Sequence, residues 1–371
     1  MTHNDIGHVY NLDKTQTETL KTCWITLLER ISKESSISID EIVGSSQGDV
    51  LFRSIGYDNP DVLMLRWLRA RKWDVNAAVQ QLIDTLNWRY ERGVDKLLAK
   101  GENELLIEEV MSGKAYFMGY DKMGRPVNYI HVKDHIKDQF PIEATEKLGI
   151  LSVETGRKLL NGSIETGTVI LDMNGFGMNN MDYQLVKFFI NLLESYYPES
   201  LGLALVIHPP LIFYSCWAII KHWVDPVIQN KIHFLKHEEE LFEFIDPSNL
   251  PKRLHGTHPD YKYIPPTTED NNMLAAFRAD KQGRKIVRAA HRKAARHYLN
   301  VTLKWAHGDE SETLLEERKQ ATKQLRDTFE EFVPYIHTRT HYHRMGLINE
   351  PIFDTAYEKL RHRNEMKIVQ F

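Results

Sequence analysis

A chain of 371 residues has room for one large domain with an appendage, or for two domains, in either case with ample core. Its 47 basic and 51 acidic residues leave a net charge of −4, which argues against generic nucleic-acid binding, and 42% hydrophobic with 26% charged residues is ordinary for a folded soluble protein. The two cysteines, Cys23 and Cys216, form no disulfide framework and point to a reducing compartment. The first 20 residues are polar and lack the apolar core of a signal peptide. Residues 201–207 are among the longest apolar runs and fall far short of the ~20 residues that span a bilayer, so a membrane is expected to be met only from outside.

In chain order, residues 20–31 form an amphipathic patch, followed by a polar stretch rich in Ser and Gly. Residues 59–73, NPDVLMLRWLRARKW, read as a short helix. Asn59 suits its cap and Pro60 its first turn, where no backbone donor is needed. Arg66, Arg69, Arg71 and Lys72 gather toward its end, and an arginine–lysine pair there offers an anion site. Asp74 caps a second helix, with Val75, Val79, Leu82 and Leu86 at helical spacing and an end near Gly93. From about 113 to 258 the pattern is mixed. Residues 115–120 and 127–132 look like strands joined by a turn at 121–126. Residues 168–172 and 203–208 are short apolar strands with an amphipathic helix, 181–196, between them, which predicts a parallel sheet in an α/β domain. Residues 271–345 read as charged helices.

After His208, Pro209 and Pro210 open a helix whose apolar stripe is wider than packing on a sheet requires. Phe213, Trp217, Ile220 and Val224 share one face; Ile212, Cys216, Ile219 and Trp223 form an adjacent one, and only Tyr214, Ser215, Lys221 and His222 offer polarity. Two readings stand: a fully buried core helix, or a lid with one face on a ligand and the other able to enter a bilayer. On the lid reading, aspartate at Trp223 or Phe213 is expected to spare folding and slow exchange of that ligand; unfolding would favour the buried core.

Six strings in order carry a resemblance: LMLRWLRARKWDVNAAV; DKMGRPV at 121–127; ILDMNG at 170–175; YYPESLG at 196–202; the helix ending in WVDP; and NLPKRLHG at 249–256. Over roughly residues 60–258 the chain resembles the CRAL-TRIO lipid-binding family, and within it the fungal phosphatidylinositol transfer proteins. The resemblance implies an α/β fold of the CRAL-TRIO type, with a helical N-terminal lobe and a mixed or parallel sheet. That sheet floors an apolar lipid pocket closed by a gate helix, and a helical C-terminal extension follows. The division expected is an N-terminal extension at 1–57, a helical lobe at 58–100, a lipid-binding domain at 101–262 and a charged extension at 263–371.

The family's site residues carry over unevenly. By resemblance, the inositol phosphate falls to Arg71 and Lys72, with Glu199 and Lys231 completing the head-group set; Lys72 and Lys231 would converge on one phosphate. The gate and membrane contact fall on Phe213, Trp217, Ile220, Trp223 and Val224. A threonine normally three residues before the lysine is Ile228 here, so one inositol contact is missing. The polar residues that read phosphatidylcholine in two-ligand members align with Gly167 and Val169, neither of which hydrogen-bonds through its side chain.

Three enzyme-like patterns carry little. Gly44-Ser45-Ser46-Gln47-Gly48 matches G-x-S-x-G, but only the weak strand candidate 39–43 precedes it. Gly175, Gly177 and Asn180 resemble a dinucleotide loop whose third glycine is missing. His337, His341 and His343 lack a cysteine or acid nearby to complete a metal site and read as surface histidines. In the tail, residues 278–297 hold eight Lys or Arg against one Asp, enough to attract an anionic surface at roughly 1 kcal/mol per suitably placed charge. The acids at 309–331 instead suggest a helix pair whose charges neutralise each other or stay solvated.

The reading that results is a non-enzymatic, cytoplasmic carrier, transiently peripheral to endomembranes. It would extract one phospholipid, phosphatidylinositol, and need no cofactor or metal beyond that bound lipid. Its partners would be the lipid, a membrane surface and, functionally, a phosphoinositide kinase, but no nucleic acid. The alternative is a binding or sensing module for another apolar ligand (a sterol, polyprenoid or haem) in the same pocket.

Overall fold

A computed structural model describes residues 7–369. Its described residues divide into two compact units, one built from residues 7–99, 267–338 and 350–369, the other from residues 100–266 and 339–349. The segments read from the sequence as N-terminal extension and helical lobe, with most of the C-terminal extension, thus share one unit, because their apolar faces complete one another; residues 263–266 and 339–349 of that extension belong to the other.

In that unit the Lys14–Ser35 helix starts at Asp13, whose carboxylate accepts from the Gln16 N–H (2.8 Å) while Gln16 reaches back to the Asp13 N–H (3.0 Å). It buries Leu20, Trp24, Leu27, Leu28 and Ile31, which recur at helical spacing. These pack with the Pro60–Ala70 and Val75–Glu91 helices and with Tyr298, Leu299 and Trp305 of the Lys281–Ala306 helix. Asn59 and Asp74 cap as the sequence indicates, accepting from Asp61 and Ala77. Asp61 has a larger part than its place in a first turn suggests. It is buried and accepts from Arg318 (2.7 Å), from the Trp24 indole (2.8 Å) and from the Tyr298 hydroxyl (3.3 Å). Two of the tail's cations are likewise tied down: Arg292 and Arg288 pair with Asp49, rather than with acids of the neighbouring tail helix.

The G-x-S-x-G stretch is not a nucleophile elbow. Residues Ile39–Gly44 form a 3-10 turn instead of a strand, and the Ser45 hydroxyl caps the Ser46–Ile55 helix by accepting from the Gly48 N–H (3.0 Å).

His291 in this unit packs among Phe52, Phe329 and Phe332, and its Nδ1 lies 3.3 Å from the Thr328 hydroxyl. Burial pushes its imidazole down to about 4, with Arg53 adding to the shift and Asp49 opposing it. The ring therefore stays neutral in the folded protein where the unfolded chain already binds a proton. Stability should fall as pH drops from about 6.5 toward 4, by on the order of 3 kcal/mol. Denaturant midpoints measured across that window should show the slope in the parent and lose it in His291→Gln.

The second unit holds a five-stranded sheet in the order β1 (Ala115–Tyr120), β2 (Pro126–His131), β3 (Gly167–Asp172), β4 (Leu201–Ile207) and β5 (Ile232–Phe234). β1 and β2 are antiparallel; all later pairs are parallel. The two-residue side-chain period separates the faces. Tyr116, Met118, Val127, Tyr129, Ile170, Leu203, Leu205 and Ile207 form one core with Leu235, Leu241, Ile245, Leu250 and Leu254. The opposite face carries Phe117, Asn128, Ile130, Val169 and Val206. β5, too short to announce itself in the sequence, pairs with β4 from Ala204 to Val206. The helix expected at 181–196 is regular only over Tyr183–Asn191 and continues as a π-helical turn, Leu192–Tyr196.

Candidate functional site

The Ile142–Leu159 helix places Leu148, Gly149, Ser152, Val153 and Gly156 on one face, opposite β1, β2 and β3. The Tyr183–Asn191 helix adds Leu185 and Phe189, with Leu193 just beyond it. Between these helices and the sheet lies a cavity of about 1130 Å³, open solvent at its mouth included. Its glycines permit the close packing of its walls. A Cβ on Gly149 would sit 2.4 Å from the Phe189 ring, and one on Gly156 would sit 2.9 Å from the Phe117 ring. This helix was not read from the sequence; small and apolar residues at 148, 149, 152, 153 and 156 were the signal available.

The cavity's two ends differ. At the strand starts it is lined by Pro126, Gly167, Ser200 and Leu201, with Arg157 and Glu165. Of the residues assigned to the head group, Glu199 and Lys231 belong to this end. Glu199 is half-buried, with a left-handed backbone (φ 57°), next to Ser200; the Lys231 ammonium donates to the Leu201 carbonyl (2.8 Å). Arg71 and Lys72 belong to the other unit, where the helix stops at Ala70 before reaching them. Arg71 donates to Gln81 (2.6 Å), and Lys72 and Trp73 turn the chain with φ of 51° and 67°. Ile228, in the place of the family's threonine, packs in the apolar cluster under the gate.

At the strand finishes the lining is polar. Lys114 lies beside His131, whose N–H donates to its carbonyl (2.7 Å). The Lys114 ammonium pairs with Glu109, and the Thr145 hydroxyl donates to the same carboxylate (2.6 Å). Asp172, at the end of β3, takes His131 Nδ1 (3.3 Å), His208 Nδ1 (3.0 Å) and Arg253 (3.2 Å). Burial works to raise the Asp172 carboxyl, but the hydrogen bonds from His131, His208 and the Asn174 N–H outweigh it and hold the group well below the usual carboxylate range. His208, in left-handed conformation (φ 53°), also meets Glu238 (2.5 Å), which joins His255 (2.9 Å). A charged network thus clamps the residue that leads into Pro209, Pro210 and the gate helix.

The gate helix spans Leu211–Ile220. Phe213, Ile220 and Val224 are buried, and Trp217 and Trp223 half-buried, in a cluster with Phe176, Val186, Ile190 and Phe234. Phe213 meets Phe176 edge-on (5.7 Å), Trp217 meets Phe234 (5.4 Å), and Trp223 meets Tyr183 (5.6 Å). These five residues are the gate's inward side, and none of them lines the cavity. The gate rests instead on the Tyr183–Asn191 helix, which walls the cavity with its other side. Facing outward are Leu211 (88% exposed), Ile212, Tyr214 and Ile219. This exposed face thus includes Leu211, which lies outside the stripe legible in the sequence, and Tyr214, one of its polar positions.

His341 and His343, read as surface histidines, are buried. His341 meets Glu102 (2.9 Å), and His343 Nδ1 accepts from the Thr340 N–H (3.0 Å). Nearby, the Tyr342 hydroxyl accepts from the Phe117 N–H (3.1 Å), which returns residues 339–349 to the sheet. Among the described residues no group of three or more His, Cys, Asp or Glu side chains is arranged to hold a metal ion, and no helix is long and apolar enough to cross a membrane.

The sequence matches the CRAL/TRIO domain over residues 110–256 and the CRAL/TRIO N-terminal domain over residues 19–84. The second match begins well before residue 58, in keeping with the packing of the Lys14–Ser35 helix against the helices that follow it. A CRAL-TRIO domain-containing protein of Schizosaccharomyces pombe is 37% identical over 303 residues, covering 80% of this chain and 67% of that one. A phosphatidylinositol transfer protein of Eremothecium gossypii is 32% identical over 330 residues, covering 84% and 73%. With both domains matched in order and relatives of this extent, the chain belongs to the CRAL/TRIO family of lipid-binding and transfer proteins.

Proposed function

We propose that this protein carries one phospholipid, phosphatidylinositol, in the cavity between the sheet and the Ile142–Leu159 helix, and exchanges it between membranes. The observation that carries the reading is that cavity: largely apolar along the sheet floor and both helices, with Glu199 and Lys231 beside the end at Ser200 and Leu201. Two acyl chains hold roughly thirty methylenes, and each costs about 0.8 kcal/mol to leave in water. A carrier must therefore shield them throughout and open only at a bilayer.

Lys231 is the cation to meet a head-group phosphate at this end, and Glu199 the acceptor for inositol hydroxyls. Arg71 and Lys72 have the same assignment from the family resemblance alone and are tested by variants of their own. Gly167 and Val169 line the cavity without a polar side chain, so phosphatidylcholine finds no donor or acceptor in them. The reading includes transient peripheral contact with endomembranes and a functional link to a phosphoinositide kinase.

In a vesicle assay, phosphatidylinositol should transfer at least tenfold faster than phosphatidylcholine. Lys231→Ala and Lys72→Ala should each slow it roughly ten- to hundredfold, as expected for losing a charge-assisted hydrogen bond of about 1.5–3 kcal/mol. Equal transfer of both lipids, or full activity in both folded variants, would remove the head-group assignment. The apolar character of Gly167 and Val169 in the cavity wall favours a second reading, a carrier of an uncharged apolar ligand such as a sterol. Native mass spectrometry of the purified protein separates the two by the mass of the ligand that co-purifies.

A further inference from the structure

Asn128 stands in the middle of the cavity floor. On β2 it lies between Pro126 and Ile130 on the same face, and it pairs across the sheet with Phe117 of β1 and Val169 of β3. All four neighbours line the cavity and none brings a polar side chain. Asn128 is only 8% exposed, and its amide nitrogen is covered and has no hydrogen-bond partner; a turn of the amide about its Cβ–Cγ bond brings it to the cavity. A buried amide without a partner is a standing cost in a folded protein, and in a cavity wall it is relieved by whatever acceptor the occupant brings.

Three of the polar groups near the strand finishes do not offer that acceptor. Thr145 donates to Glu109, Lys114 pairs with the same carboxylate, and His131 is held between Asp172 and Arg253. Because Lys114 is already neutralised by Glu109, the floor offers no unbalanced cation, and a phosphate or carboxylate at Asn128 would be buried without a counter-charge. The acceptor that fits is uncharged: a carbonyl, ester or hydroxyl oxygen with apolar groups on both sides. Its depth is also defined. Asn128 is in register with Val169, two residues along β3 from Gly167, or about 7 Å inward from the end where Lys231 meets Leu201. In a diacyl phospholipid the glycerol backbone sets the ester carbonyls off from the phosphate by a comparable distance.

We propose that the Asn128 amide donates a hydrogen bond to an uncharged oxygen in the buried body of the bound lipid, the ester carbonyl of a diacyl lipid or the hydroxyl of a sterol-like one, and so selects for lipids that have it. The proposal rests on the carrier reading given above. It makes linkage chemistry, and not only the head group, a determinant of what is carried.

The test uses two matched pairs with the full chain: diacyl against dialkyl-ether phosphatidylinositol of the same chain length, and cholesterol against its hydroxyl-free hydrocarbon. Competitive loading is read by native mass spectrometry. In one of the pairs the parent should prefer the oxygen-bearing member about tenfold. Asn128→Leu should bring that preference to within twofold while still loading lipid, and its thermal unfolding should be unchanged or raised, since an unpartnered polar group is removed. Asn128→Thr, which keeps a donor on a strand-compatible side chain, should retain part of the preference and serves should the leucine variant fail to fold. A preference in the first pair identifies the ester carbonyl, and in the second the hydroxyl. Equal loading of both pairs by the parent, or an undiminished preference in the folded leucine variant, overturns the role of Asn128 and leaves the carrier reading standing. Failure of the parent to load any of the four lipids overturns both.

Discussion

Leu211→Asp combined with Ile219→Asp should slow lipid transfer between vesicles at least tenfold without lowering the temperature of unfolding. Both side chains already face solvent, Leu211 at 88% and Ile219 at 49% exposure, so their replacement removes little buried surface. On entering an apolar phase, each would contribute about 1.5–3 kcal/mol, a contribution that a carboxylate reverses. Phe213→Asp is a different experiment. The sequence suggested that it spares the fold, but Phe213 is packed against Phe176 and Phe234, and a buried unpaired charge there should destabilise the gate by several kcal/mol. The outward pair therefore separates membrane contact from folding. Undiminished transfer by the folded double variant would rule out the outward face as the membrane contact.

Val153→Trp should abolish lipid loading, with at least a hundredfold less ligand in native mass spectra and an unchanged circular dichroism spectrum. Val153 lies on the cavity face of the Ile142–Leu159 helix, where an indole has empty space to enter, so the overpacking that usually costs about 1–3 kcal/mol is small. Gly149→Val, one turn away, is the contrast. Its side chain would begin 2.4 Å from the Phe189 ring, so the helices must separate and stability should fall. Normal loading by a folded Val153→Trp protein would mean that the lipid lies elsewhere.

Much of this was legible in the chain because it is local. The caps at Asn59 and Asp74, the first four strands to within two residues at each end, and the wide apolar stripe after Pro210 are written in neighbours a few positions apart. So were the strings that mark the family, which the domain matches and the relatives bear out. Local pattern failed where burial was decided by distant segments. In the basic stretch 278–297, most of whose cations are exposed, Arg288 and Arg292 find their counter-charge in the distant Asp49, as Arg318 of the next helix does in Asp61. His341 and His343 looked exposed until Glu102 and Thr340 enclosed them. The five residues assigned to the gate and membrane contact pack in one inward cluster, and which side of the stripe meets protein and which meets solvent depends on the Tyr183–Asn191 helix beneath. Asn128 is the clearest case. Its sequence places a polar residue in a strand and nothing more. Only the sheet register, which sets it between Phe117 and Val169, and the helix above it make its amide a buried donor without a partner, because hydrogen-bond satisfaction is a property of the assembled fold.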